Sequence, residues 1–170
     1  MTIAFVSDNV YPSIGGQGVS AERFIERLTE CGHRVVVFTT RTHWRLGREE
    51  RSPLLSVYRC FGMVVPGTRR RMRLALPFVG SLIRILRREG VDVVHLNVST
   101  TFLGASVVSA AKLLGIPTLA YVHTQADNLT REFGLLHQPV VVQLFNSAQN
   151  AFLWLPDAVV APTAFAAALL

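Results

Sequence analysis

The chain has 170 residues, 50% of them hydrophobic and 16% charged, which is enough apolar material to bury one core and too much for a disordered segment. Lys and Arg outnumber Asp and Glu by 17 to 11, and Lys112 is the only lysine, so the excess charge is carried by guanidinium groups whose planar fork suits phosphate and carboxylate partners. No aromatic-interleaved basic surface, zinc-ligand spacing or helix-turn-helix pattern accompanies that charge, which argues against nucleic acid as a partner.

Met1 leads directly into a first strand, Ile3 to Ser7, without the basic stretch and apolar segment of a secretory signal, so a cytoplasmic location is expected. A glycine-rich loop, Pro12 to Gly18, follows. Within it Gly16-Gln17-Gly18-Val19-Ser20-Ala21 matches the G-x-G-x-x-A version of the dinucleotide fingerprint. That fingerprint needs its glycines in the turn directly after the strand, whereas Asp8 to Gly15 intervene here. The second strand also ends in Thr39-Thr40-Arg41, with no acidic residue for a ribose hydroxyl. A dinucleotide site is therefore the weaker reading. Two readings of the loop stay open: a phosphate or pyrophosphate cradle at the amino end of a helix, and a turn shaped only for chain reversal.

The first helix places Val19, Phe24, Ile25 and Leu28 at helical spacing and Glu22, Glu26 and Glu30 on another face, with Gly32 as its stop. Cys31 and Cys60 are too few and too far apart for a disulfide framework or a zinc site. Further strands are read at Arg34 to Thr39, Leu55 to Arg59, Val91 to Leu96, Thr118 to His123 and Ala158 to Ala161, with Val- and Ile-rich runs that suit burial on both faces. Thr40 to Pro53, polar and carrying Arg41, Arg45, Arg48 and Arg51, reads as the least structured part. Crossover helices are read at Leu74 to Arg88, Phe102 to Leu114 and about Val140 to Leu153, with Gly90 and Gly115 as stops. No stretch reaches the roughly 18 consecutive apolar residues of a membrane span. The alternation predicts an α/β fold, an open parallel sheet of about six strands with helices on both faces. Ligands bind such sheets beyond the carboxyl ends of the strands, which directs attention to Asp8 to Gly18, Thr40 onward, Asn97 to Thr101 and His123 to Asn128.

Pro12-Ser13-Ile14-Gly15-Gly16, then the helix, then Glu30-Cys31-Gly32-His33-Arg34-Val35-Val36-Val37-Phe38-Thr39, strongly resembles the start of family 4 glycosyltransferases of the GT-B fold. Asp92-Val93-Val94-His95, Leu114-Gly115-Ile116-Pro117, Tyr121-Val122-His123-Thr124 and Pro156-Asp157-Ala158-Val159-Val160-Ala161-Pro162-Thr163 resemble the same family in the same order. The resemblance implies a retaining, metal-independent transferase that moves a sugar from a UDP- or GDP-linked donor to an acceptor in the cleft between two Rossmann-like domains. Residues 1–170 look like the acceptor-side domain, with the nucleotide-binding domain as the partner that is not in this sequence, so the chain alone is expected to be inactive. By the fold analogy the strand order is 3-2-1-4-5-6.

Carried over position by position, Gly15 and Gly16, with Gln17 and Gly18 beside them, match the loop near the donor phosphates and the acceptor. His123 matches a cleft histidine, able to hydrogen-bond the transferred sugar or to move a proton. His95 is a candidate acceptor contact or a core residue. Asp127 and Asn128 stand in a segment similar to that of lipid-directed members and are candidate acceptor contacts. His33 belongs to a turn signature. Glu22 and Glu30 have the E-x7-E spacing of the family's second domain but lie on the first helix as a solvated face. Arg69, Arg70, Arg71 and Arg73 precede the apolar run from Leu74, an arrangement suited to an interfacial helix on an anionic membrane and hence to a lipid or lipid-linked acceptor. A solvated face over a core stripe is the competing reading of that segment, and a catalytically inactive Rossmann-like binding module is the competing reading of the whole.

Overall fold

The apolar runs between glycine stops become the strands of one sheet in the computed structural model, which describes residues 1–8, 16–40, 47–64, 73–75, 77–97, 102–122, 147, 150–161 and 163–167. In chain order the elements are β1 (Thr2–Val6), α1 (Gly16–Glu30), β2 (Arg34–Thr40), β3 (Gly47–Ser52), β4 (Leu55–Cys60), β5 (Gly62–Val64) and β6 (Arg73–Ala75). They continue with α2 (Val79–Glu89), β7 (Val93–Asn97), α3 (Phe102–Leu113), β8 (Thr118–Tyr121), β9 (Ala158–Val160) and a short α4 (Ala164–Ala167). The seven-stranded sheet has the order β3-β4-β2-β1-β7-β8-β9. Its six inner and right-hand strands are parallel and follow the expected 3-2-1-4-5-6 order.

Two expectations are corrected. The stretch read as least structured contains β3, which pairs antiparallel with β4 at the sheet edge. Its sequence Gly-Arg-Glu-Glu-Arg-Ser has no apolar alternation because five of its six residues are exposed. Backbone pairing is supplemented by ion pairs from Arg59 to Glu49 at 3.1 Å and from Arg51 to Glu22 of α1 at 3.7 Å. A charged edge of this kind also discourages pairing with another sheet. The second correction concerns the helix expected from Leu74. Arg73–Ala75 form β6, antiparallel to β5, and α2 begins only at Val79, after Pro77, whose restriction of the preceding backbone disfavours a helix through it.

Strand alternation sorts the core into two layers. Ala4, Val6, Val36, Phe38, Val94, Leu96 and Ala120 face Leu82 and Leu86 of α2 and Leu103, Val107 and Val108 of α3. Phe5, Val35, Val37 and Val57 face Ala21 and Ile25 of α1. Helices therefore cover both faces, as the near-continuous apolar strands require.

Three helices end alike. Gly32, Gly90 and Gly115 take φ of 78°, 61° and 68°. In each case the next residue's N–H reaches back five residues: His33 to Leu28 O at 3.1 Å, Val91 to Leu86 O at 3.1 Å and Ile116 to Ala111 O at 2.9 Å. This is the Schellman closure, which satisfies carbonyls that the helix leaves open and needs a residue free of a Cβ penalty at positive φ. It turns the chain sharply into the amino end of the next strand. There Asp92 and Asp157 act as clamps: an Asp92 carboxylate oxygen accepts the Thr2 N–H at 2.7 Å, and one of Asp157 accepts the Thr118 N–H at 2.8 Å and its hydroxyl at 2.7 Å.

Candidate functional site at the carboxyl edge of the sheet

Buried polar side chains are costly unless their hydrogen bonds are made, so where a chain concentrates them is informative. Among the described residues seven polar or charged side chains are buried, and Ser7, Thr39, Thr40 and Asn97 all stand at carboxyl ends of strands. Register aligns them. Val6 pairs with Phe38 and with Leu96, so the next positions put Ser7 beside Thr39 on one side and Asn97 on the other; Asn97 in turn pairs with Tyr121. Thr39, Ser7, Asn97 and Tyr121 thus form one transverse row across β2, β1, β7 and β8, and alternation from Val37, Phe5 and His95 puts that row on the α1 face.

The row below is apolar and aromatic. Phe5 pairs with His95, and their rings stack with centroids 5.1 Å apart and planes 7° from parallel. Phe24 of α1 lies over both, 6.4 Å from Phe5 and 5.6 Å from His95, and reaches the Tyr121 ring at 5.5 Å. His95 is therefore brought beneath the edge, half-buried in an aromatic floor, rather than out at the rim. At the rim the Thr39 hydroxyl donates to the Asp8 carbonyl at 3.4 Å and the Thr40 hydroxyl to its carboxylate at 3.5 Å. Cys60 ends β4 beside Thr40. Burial first, and the Asp8 carboxylate second, push its thiol up to about 11, which makes it a poor nucleophile.

Gly16, Gln17 and Gly18 are corrected from loop to helix: they are the first turn of α1, and Gly18 is buried. The buried stripe of α1 runs Gly18, Ala21, Ile25, so the helix presents its smallest residues toward the carboxyl edge, where its first N–H groups have no partner within the helix. Gly15, His123, Asp127, Asn128, Arg69, Arg70 and Arg71 lie outside the described residues. Arg73 is on β6 rather than on a helix. Of the apolar run from Leu74 that the interfacial reading used, Ala75 is buried and Phe78 exposed, and further along α2 Leu82 and Leu86 are fully buried while Arg84, Arg87 and Arg88 are exposed. No helix among the described residues is long and apolar enough to cross a membrane.

Asn97 heads the strand end Asn97 to Thr101 and Thr39 closes the family-like run, both conspicuous in the sequence, while Ser7 only ends the first predicted strand. What no motif marks is that the three share one row, a property of the register. A second polar cluster, equally unforeseen, lies around Glu89 at the end of α2. Glu89 is buried, accepts a hydrogen bond from the Tyr58 hydroxyl, and is ion-paired with Arg34, with Arg88 at 3.3 Å and with Arg48 at 3.6 Å. Burial opposes its charge, but the Tyr58 hydroxyl, Arg88 and Arg34 outweigh it and hold the carboxyl below its ordinary range. Tyr58, Arg34 and Arg48 belong to β4, β2 and β3, so this cluster locks α2 onto the left edge of the sheet.

Comparison with known proteins decides the family. The pattern of Glycosyltransferase Family 4 matches residues 14–170. The chain belongs to glycosyltransferase family 4. Two GDP-mannose-dependent alpha-mannosyltransferases are similar to this family 4 chain. The one from Mycobacterium tuberculosis (strain CDC 1551 / Oshkosh) is 29% identical over 134 residues, 78% of this chain and 35% of its own length. The one from Mycolicibacterium smegmatis is 29% identical over 136 residues, 79% of this chain and 36% of its own. The chain thus spans about a third of the length of these curated relatives. Among solved structures, sucrose-phosphate synthase from Thermosynechococcus elongatus superposes with a TM-score of 0.64 at 17% identity, over 93% of this chain and 41% of that one. Os79 from O. sativa, solved with UDP, gives 0.56 at 14% identity, over 95% of this chain and 46% of that one. At such identities these two likenesses speak for the fold. It is Rossmann-like and matches half of a GT-B glycosyltransferase.

Proposed function

We propose that these residues form the acceptor-side half of a retaining sugar transferase that uses a nucleotide-sugar donor, with GDP-mannose as the first donor to test. The family match over residues 14–170 carries this reading, and the two GDP-mannose-dependent relatives direct the choice of donor. In this reading the first turn of α1, with Gly15, Gly16, Gln17 and Gly18, faces the donor phosphates through its backbone N–H groups. His123, following the end of β8, is the cleft group that contacts the transferred sugar or moves a proton. His95 supports the floor, and Asp127 and Asn128 contact the acceptor.

The acceptor proposed is a lipid or lipid-linked glycan at an anionic surface. The support is three exposed aromatic residues: Phe61 after β4, Phe78 before α2 and Phe102 at the start of α3 are 50%, 76% and 59% exposed, and Phe61 and Phe78 flank Arg69 to Arg73 in sequence. Aromatic side chains beside arginines suit an interface between water and anionic lipid.

The test is a transfer screen on the protein expressed to the end of its reading frame, with GDP-mannose, other GDP-sugars and UDP-sugars against a lipid extract. Hexose transfer from GDP-mannose, with the anomeric configuration retained, is expected. Donor hydrolysis and transfer absent with every nucleotide-sugar would overturn the reading in favour of a binding module.

A further inference from the structure

We propose that Asn97 is a carbohydrate-binding residue of this site, its side-chain carbonyl accepting a hydrogen bond from one hydroxyl of the donor sugar or the acceptor. The inference rests on the transferase reading and narrows it to one atom. Asn97 is 3% exposed, and its Oδ1 is buried with no hydrogen-bond partner among the described residues. A carbonyl left in that state is expensive, and a fold retains one where something else completes the bond.

Position says what completes it. Asn97 ends β7 in the middle of the transverse row, between Ser7 and Tyr121, at the carboxyl edge where open α/β sheets take their ligands. Directly beneath it on the same face lies His95, stacked on Phe5 and flanked by Phe24 and Tyr121. An amide above aromatic rings matches a sugar, which offers hydroxyls at its rim and C–H groups on its faces. The chemistry of the orphan atom separates this ligand from the nucleotide. An amide oxygen only accepts, and ionised phosphate oxygens only accept, so Oδ1 has nothing to gain from a pyrophosphate and everything from a hydroxyl donor. Phosphate recognition falls to the N–H groups of α1, and hydroxyl recognition to Asn97.

Two arms test the assignment. In the protein expressed to the end of its reading frame, kcat and KM are measured separately for donor and acceptor, with wild type and Asn97→Ala, and with the deoxy analogues of each substrate. The expected result is a KM raised about tenfold for one substrate only. One deoxy analogue of that substrate should lose a similar factor on wild type and nothing further on Asn97→Ala, the non-additivity expected of two groups in contact. Which substrate shows the effect assigns the hydroxyl to donor or acceptor. Full additivity at every deoxy position overturns the proposal. Asn97→Leu separates a binding role from a structural one: removal of an unpaired buried amide should leave the thermal midpoint unchanged or higher while transfer falls. A lower midpoint with unchanged KM values makes the amide structural and overturns the proposal.

The second arm needs no turnover. The Asn97 side-chain NH2 resonances are followed by NMR as methyl α-mannopyranoside and other methyl glycosides are added. Movement with at least one of them is expected, and its absence with all overturns the assignment. Movement without transfer from any nucleotide-sugar would sink the transferase reading and leave a carbohydrate-binding site.

Discussion

Charge on a buried carboxylate is tolerated only where partners outweigh desolvation, and Glu89 shows what such a residue does for this fold. It gathers the Tyr58 hydroxyl and three arginines that come from four different elements. Because Arg34, Arg48 and Arg88 keep some water while Glu89 does not, the arrangement avoids the full penalty of a wholly buried pair. Glu89→Gln should cost about 1–3 kcal/mol at neutral pH by leaving hydrogen bonds unmade. The folded carboxyl lies below its ordinary value, so its contribution is fully present above the unfolded value near pH 4.3 and is lost as pH falls through the folded one. Denaturant melts of wild type and Glu89→Gln should therefore differ most at pH 7 and converge in acid; a gap that stays constant down to pH 3 would contradict the assignment. Asp92 and Asp157, conspicuous in the sequence as parts of family-like motifs, turn out to be clamps at amino ends of strands. Their motif was legible and their role was not, since a short Asp-Val-Val run does not state which N–H lies across from it.

At the scale of elements, the sequence is most informative where burial writes a pattern. The Val- and Ile-rich strands, the stripe of α1 and the three glycine stops are each visible because a buried face or a positive φ restricts which residues can stand there. β3 escapes for the converse reason: an exposed edge strand is held by backbone pairing and ion pairs, which leave no period. The same lesson moves the start of α2. Leu74 and Ala75 continue the apolar spacing of the helix, yet they pair with β5, and Ala75 joins the core from a strand. Arg73 consequently belongs to a β hairpin rather than to a helix flank, and a membrane role for Arg69, Arg70, Arg71 and Arg73 has to be argued from that hairpin and its aromatic neighbours. The full-length protein should bind vesicles containing anionic lipid, and changing the four arginines to Ser should weaken binding about a hundredfold or more, at about 1 kcal/mol per charge near the surface. Equal binding of the variant, or none by wild type, would contradict a membrane role for these arginines.

For the molecule as a whole, chain order and register together make the site. The reversal between β1 and β7 opens the sheet where one crossover leads to β2 and the other to β8, the place where such folds take ligands. Family and topology could be read from the sequence because long ordered motifs survive along the chain. The polar row could not, because Ser7, Thr39, Asn97 and Tyr121 are scattered over more than a hundred positions and meet only through pairing. The transfer proposed above would take place at this edge, on the α1 face. The most direct test is initial-rate hexose transfer from GDP-mannose by wild type and by His123→Ala, with Lys112→Ala at the far end of α3 as a control. A loss of about a hundredfold or more in kcat is expected for His123→Ala, with wild-type rates for the control. Undiminished transfer by His123→Ala would contradict this placement.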